Sequence, residues 1–138
     1  MPKMVLTAVY VSIDSNELSE YGTKAELAMQ VDEKDVTTFA SLGWKEMLGG
    51  LGSGSMSLTF LQDTSAAAID DIVWPLFIAR VPVPFELRTT QDAMGTSNPA
   101  WTGLVLPSKW NPLSGSVGDV DTSDVQWPTS GLVTRATA

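Results

Sequence analysis

Few residues of this chain could carry acid-base or nucleophilic chemistry. The sequence contains no histidine and no cysteine, which removes the commonest general base, the Ser-His-Asp and Cys-His arrangements, and imidazole or thiolate metal ligands. Carboxylates remain. Asp70 and Asp71 could form a catalytic pair, and three nearby aspartates could supply oxygen ligands to calcium: Asp119, Asp121 and Asp124.

Neither carboxylate set has the spacing that its chemistry requires. Adjacent helix residues point about 100° apart, so Asp70 and Asp71 would not face one substrate, and the helix dipole explains acidic residues early in a helix. The three later aspartates lack the glycine and ligand spacing of a calcium loop, which favours a solvated turn. We therefore predict no enzyme activity and no catalytic, cofactor-binding or metal-binding residue.

The tryptophans allow a third kind of site. Five in 138 residues is a large number, and in a β-protein they could stack on sugars, as in a carbohydrate-binding module. They could equally anchor the core and protein interfaces. Each lies inside or beside an apolar segment, which favours packing. They are Trp44, Trp74, Trp101, Trp110 and Trp127.

Composition limits the remaining function classes. Sixteen acidic against eight basic residues give a formal charge of −8, which argues against a phosphate-binding surface. With 43% hydrophobic and only 17% charged residues, the chain should fold, and its low charge indicates assembly. The length fits one domain, 1–138. No apolar run approaches the ~20 residues of a membrane-spanning helix, so we predict no membrane partner.

Alternation of apolar and polar residues predicts antiparallel strands with one wet face. The pattern is clearest at residues 55–60, where small hydroxyl residues alternate with Met56, Leu58 and Phe60. The other predicted strands are 5–13, 27–31, 83–87, 101–109 and 117–127.

One short helix is predicted at about residues 65–75. Apolar residues there have the spacing of a single stripe, and Pro75 should kink or end the helix. The chain is therefore expected to be all-β dominated (α+β), an antiparallel β-sandwich or barrel with one flanking helix.

Two segments have no obvious place in a core. The glycine-rich stretch at about residues 32–54 predicts a long loop, yet it carries several large apolar side chains that require a partner. Residues 128–138 have little to bury, which predicts an extended C-terminal arm.

Short sequence strings occur in an order that resembles the major tail tube proteins of siphophages, particularly those infecting actinobacteria. The resemblance covers roughly residues 27–137. The strings are DVTTF at 35–39, GW at 43–44, SLTF at 57–60 with QD at 62–63, IVWPL at 72–76, NP at 98–99, WTG at 101–103, WNP at 110–112, GSVGD at 115–119, WP at 127–128 and TRAT at 134–137.

The resemblance implies the tail tube fold and a subunit that forms hexameric rings, stacked into a hollow conduit for DNA ejection into the host. The protein would be made in the host cytoplasm and reside in the virion tail. Implied partners are other copies of itself, the tail terminator, baseplate and tape-measure proteins, and double-stranded DNA passing through the lumen without specific binding.

The same resemblance makes the 32–54 loop the part that reaches a neighbouring ring, and the C-terminal arm a second contact. Another phage tail or baseplate ring protein and a carbohydrate-binding β-sandwich module remain alternatives. The predicted inter-ring or inter-subunit contacts are Phe39, Trp44, Met47, Leu48, Leu51, Leu132, Val133 and Arg135.

Overall fold

The computed structural model describes residues 3–137. Met1, Pro2 and Ala138, which belong to the predicted domain and arm, lie outside the described residues. Within the described residues, two short 3-10 helices, Ser19–Tyr21 and Phe39–Ser41, accompany seven strands and one α-helix. These are β1 (Tyr10–Ile13), β2 (Asn16–Glu17), β3 (Gly22–Asp35), β4 (Met47–Leu61), α1 (Ile69–Ala79), β5 (Val83–Arg88), β6 (Ala100–Val105) and β7 (Thr122–Ala136).

The strands form an antiparallel sheet in the order β2-β1-β5-β6-β7-β4-β3. β7 is shared between two halves of this sheet, because its residues 122–128 pair with β4 and its residues 129–136 pair with β6. One bent strand can in this way pass from one layer of a sandwich to the other. The end strands β2 and β3 do not pair with each other, so the sheet does not close into a barrel. Residues of both halves share one core cluster, which agrees with the sandwich among the two predicted architectures.

The core lies where the inner faces of the two halves meet. Met56, Leu58 and Phe60 of β4 are buried, as their alternation predicted, and they belong to the same cluster as Phe85 of the other half. Trp127 is fully buried and donates a hydrogen bond from Nε1 to the Lys109 carbonyl at 2.7 Å. A buried indole therefore keeps its polar group satisfied.

The helix differs from its predicted bounds of 65–75. It begins later because Ala67 has a left-handed φ of 60°, and it continues through Pro75 to Ala79. The missing N–H of a proline costs one hydrogen bond, and the burial of Ile69 and Val73 against the sandwich offsets this cost. Arg80, also left-handed, ends the helix.

The predicted loop at 32–54 is wrong over most of its length, because β3 continues to Asp35 and β4 begins at Met47. The glycines there make room for side chains of the partner strand. A Cβ on Gly49 would lie 3.3 Å from Val31 Cγ1, and one on Gly54 would lie 2.6 Å from Met29 Sδ. Glycine is here a packing feature of a strand.

Three other strands also differ from prediction in their bounds. The strand expected at 5–13 begins only at Tyr10, and the strand expected at 101–109 ends at Val105, shortly before Pro107, which has no N–H to donate to a ladder. The strand expected at 117–127 begins at Thr122 and continues to Ala136. Residues 129–136 of the expected arm therefore gain backbone pairing with β6, without needing many apolar side chains to bury.

Gly103 lies where β6 and β7 approach each other closely. An added Cβ would lie 3.0 Å from the Leu132 carbonyl oxygen and 3.3 Å from Val133 Cγ2. We expect Gly103→Ala to destabilise the fold by about 1–3 kcal/mol through overpacking, measured by denaturant unfolding. Gly95→Ala is the matched control, since nothing lies within 4 Å of its Cβ position, and equal effects of the two variants would contradict the expectation.

Candidate assembly surface

The β3–β4 hairpin projects beyond the sandwich. Residues 55–60 of β4 pair with β3 on one side and with β7 on the other, whereas the β4 residues before Ser55 pair with β3 alone. We call residues 29–54 the distal hairpin and its connecting residues, 36–46, the tip. A two-stranded hairpin is marginally stable by itself in water, so its sequence should show how it is supported.

An apolar stripe runs out of the core along one face of the distal hairpin. Met56 is fully buried and lies opposite Leu27, which is half-buried. Two and four residues further along β3, Met29 and Val31 point to the same face and are 53% and 57% exposed. The stripe that is core at one end is therefore solvent-exposed at the other.

The tip exposes still larger apolar groups. Phe39 is fully exposed, and Leu42 and Trp44 are 84% and 78% exposed. Exposed apolar surface of this extent marks an interaction site more often than a free surface. The distal hairpin as a whole exposes Met29, Val31, Val36, Phe39, Leu42, Trp44, Met47, Leu48 and Leu51.

Polar contacts give the tip a defined shape without a core. Thr38 and Ser41 form a capping box around the 3-10 helix. The Asp35 carboxylate accepts a hydrogen bond from the Thr37 N–H at 2.9 Å, and the Thr37 hydroxyl oxygen accepts one from the Glu46 N–H at 2.8 Å. A loop held in one conformation binds a partner at a smaller entropic cost.

The two tip aromatics line an open cavity of about 510 Å³. Leu42 and Gly43 have left-handed φ angles of 55° and 88° and turn the chain between the rings. We call this cavity the notch. It is lined by Thr37, Thr38, Phe39, Gly43, Trp44 and Lys45.

The tip should loosen in acid. Hydrogen bonds from Thr37 hold the pKa of Asp35 below its ordinary value of 3.8. Since the folded-state pKa is lowered, the stabilisation is present above the unfolded-state value and is lost as the pH falls through the lowered pKa. In an NMR titration we expect the Thr37 amide to shift with a midpoint below 3.8; a midpoint at or above that value would contradict the assignment.

The predicted contact residues fall into two groups. Five of them lie in the distal hairpin, with Phe39 and Trp44 lining the notch. The others lie on β7, where Leu132 and Arg135 are exposed and Val133 packs partly against the core. The five are Phe39, Trp44, Met47, Leu48 and Leu51.

A second exposed apolar segment escaped sequence prediction. It lies in the connection between β6 and β7, where Leu113, Val117 and Val120 are 87%, 106% and 67% exposed. The sequence does contain a signal for this exposure, because these apolar residues lie among Ser, Gly and Asp and do not follow the alternation of a strand. Residues 117–121 of this segment belong to the strand predicted at 117–127, and they precede β7 in the structure.

The candidate carboxylates have structural partners. Asp70 Oδ1 accepts hydrogen bonds from Trp110 Nε1 at 3.1 Å and Gln62 Nε2 at 3.2 Å, and Asp71 accepts one from the Ala67 N–H. Asp124 accepts one from the Thr59 hydroxyl. Within residues 3–137 no cluster of acidic residues is arranged to hold a metal ion, and no helix is long and apolar enough to cross a membrane.

The tryptophans do not form a row on the surface. Trp110 and Trp127 are buried, and Trp101 is half-buried. Trp44 and Trp74 are exposed, but one lies at the tip and the other on α1. This distribution agrees with a packing role for Trp110 and Trp127.

No protein-family model and no curated protein matches the chain. Two solved structures share its fold, each with a TM-score of 0.74. A chain in the virion of a native gene transfer agent particle is 16% identical, with 93% of this chain and 95% of that chain covered. A chain in the tail of an empty gene transfer agent particle, computed with helical refinement and C6 symmetry, is 17% identical, with 95% of both chains covered. The predicted tail tube fold is thereby confirmed.

Proposed function

We propose that this chain is a non-enzymatic structural subunit of a bacteriophage tail tube, whose hexameric rings stack into the conduit for DNA ejection. The observation that carries the proposal is the distal hairpin, an exposed apolar projection on a fold that is shared along nearly its whole length with a chain of a C6-symmetric tail. Such a projection needs a partner, and in a repeating assembly the partner is another subunit.

Unpaired strand edges support ring formation. β3 is a 14-residue strand at the end of the sheet, and a long free edge is a template for pairing with another chain. The strand β2, which has two residues, forms the opposite edge of the sheet. A contact between two different edges is heterologous, and it closes into a ring when its rotation fits.

The charge suits a conduit. The formal charge of −8 allows a lumen that repels phosphate, so that double-stranded DNA slides through without specific binding. In this proposal the protein is made in the host cytoplasm, resides in the virion tail and also contacts the tail terminator, baseplate and tape-measure proteins.

Negative-stain electron microscopy of the purified protein across a concentration series tests the proposal. Hollow tubes of uniform width are the expected result. Closed rings that never lengthen would instead favour a baseplate or other tail ring protein. Monomers at every concentration, with tryptophan fluorescence that responds to glycans, would favour the carbohydrate-binding module and contradict the proposal.

A further inference from the structure

The two most exposed apolar features of the molecule lie at opposite ends of its longest strand pair. The tip follows β3 and precedes Met47, the first residue of β4. The connection between β6 and β7 is hydrogen-bonded to Gln62, the residue that follows the other end of β4. The Gln62 N–H donates to the Asp121 carbonyl at 2.9 Å, and Gln62 Nε2 donates to the Pro112 carbonyl at 2.9 Å. Fifteen residues of β4 separate them by roughly 45 Å at the usual rise of a strand.

The connection ends in a small closed loop, residues 113–120, which we call the basal loop. The Ser114 N–H donates to Asp121 Oδ1 at 2.9 Å and closes the base of this loop, and the Asp119 N–H donates to the Ser116 carbonyl at 3.0 Å and forms its turn. Val117 lies inside that turn with its side chain fully exposed. The basal loop therefore presents a small apolar group on a hydrogen-bonded support.

We propose that the notch of one subunit receives the basal loop of a second copy of this chain, with Val117 between Phe39 and Trp44. This contact rests on the proposed tail tube function and identifies the surface that meets the hairpin. An open cavity of about 510 Å³ that both aromatic residues line offers apolar surface to one branched side chain and its neighbours. Burial of Val117 and Leu113 would remove their apolar surface from water.

Charge supports the same pairing. Lys45 lines the notch, and Asp119 follows Val117 by two residues on the basal loop. Among residues 3–137 neither of these charges forms an ion pair, since the ion pair found there joins Arg88 to Glu86. Insertion of Val117 would bring the lysine of one copy and the aspartate of the next to the rim of the contact, where opposite charges set orientation.

The placement at opposite ends makes the contact open-ended. Each subunit that receives a basal loop in its notch still offers its own basal loop to the next subunit. A heterologous contact of this kind, when its rotation does not close, propagates as a filament. One pair of surfaces is then sufficient to stack rings in a single direction.

Disulfide cross-linking tests the contact, because the chain has no cysteine of its own. In the double variant Lys45→Cys/Asp119→Cys, polymerised protein treated with a mild oxidant is expected to give a ladder of dimers, trimers and longer species on non-reducing gels. Lys45→Cys alone should give none. The matched control is Lys45→Cys/Thr96→Cys, since Thr96 is exposed in the turn between β5 and β6, away from the basal loop.

Charge reversal provides a second measurement if the cysteine variant does not polymerise. Lys45→Asp and Asp119→Lys should each raise the critical concentration several-fold, and their combination should restore it towards the wild-type value. Wild-type tubes with no ladder above the control and no rescue by the combined reversal would overturn the contact while leaving the tail tube proposal intact. A wild-type protein that never polymerises would contradict the tail tube proposal and therefore also this contact.

Discussion

Replacing Trp44 with alanine is expected to raise the critical concentration for tube formation strongly while leaving a folded subunit. The side chain is 78% exposed, so its removal takes almost nothing from the core. Interface tryptophans often contribute about 2 kcal/mol or more to binding, which corresponds to a rise of about 30-fold or more in the critical concentration. Light scattering and negative-stain microscopy measure assembly, and circular dichroism with thermal unfolding measures the fold.

The controls for this prediction separate a weakened contact between subunits from a loss of folding. Trp44→Phe keeps an aromatic wall of the notch and should retain most of the assembly. Because Trp44 lies at the exposed tip, beyond the residues of β4 that pair with β7, an unchanged melting temperature is expected for both variants. If Trp44→Ala lost its folded monomer, the side chain would be part of the fold and the interface assignment would be wrong.

Replacing Trp127 with alanine should have the opposite effect, a large loss of stability. This side chain is fully buried in the core and its Nε1–H is bonded to the Lys109 carbonyl at 2.7 Å. Truncation of a buried tryptophan costs about 3–5 kcal/mol, a large part of the 5–15 kcal/mol that typically holds a domain together. We expect the melting temperature to fall by about 10–20 °C.

Trp127→Phe separates the contribution of ring packing from that of the hydrogen bond to Lys109. The ring volume is largely kept while the donor to Lys109 is lost, so the expected cost is about 1–3 kcal/mol. Denaturant unfolding of both variants gives the comparison. A Trp127→Ala protein as stable as the wild type would mean that β7 is not seated between the two halves as described.

Local alternation explains why some predictions succeeded. Residues 55–60 alternate apolar and hydroxyl side chains, and a period of two can be satisfied only by a strand with one buried face. The segment is therefore a strand in the structure, with Met56, Leu58 and Phe60 inside. The same local signal placed β5 correctly, since Val83, Phe85 and Leu87 are buried.

Glycine misled the prediction where pairing is non-local. Gly49 and Gly54 indicated a loop, because glycine is a poor strand former by itself. In the structure they lie opposite bulky side chains of β3, and Val31 and Met29 occupy the space that a Cβ would take. That compensation depends on a residue about twenty positions away in the chain, so no local window contains it.

Composition and local pattern were enough to predict the alternating strands, to exclude histidine and cysteine chemistry, and to identify large apolar residues such as Phe39 and Trp44 in a stretch that could not bury them. The folded chain was needed to show that this stretch is a projecting hairpin, that residues 129–136 pair with β6, and that the basal loop lies at the far end of β4. The reason is that periodicity is a property of neighbouring residues, whereas strand pairing and exposure depend on which distant segments meet.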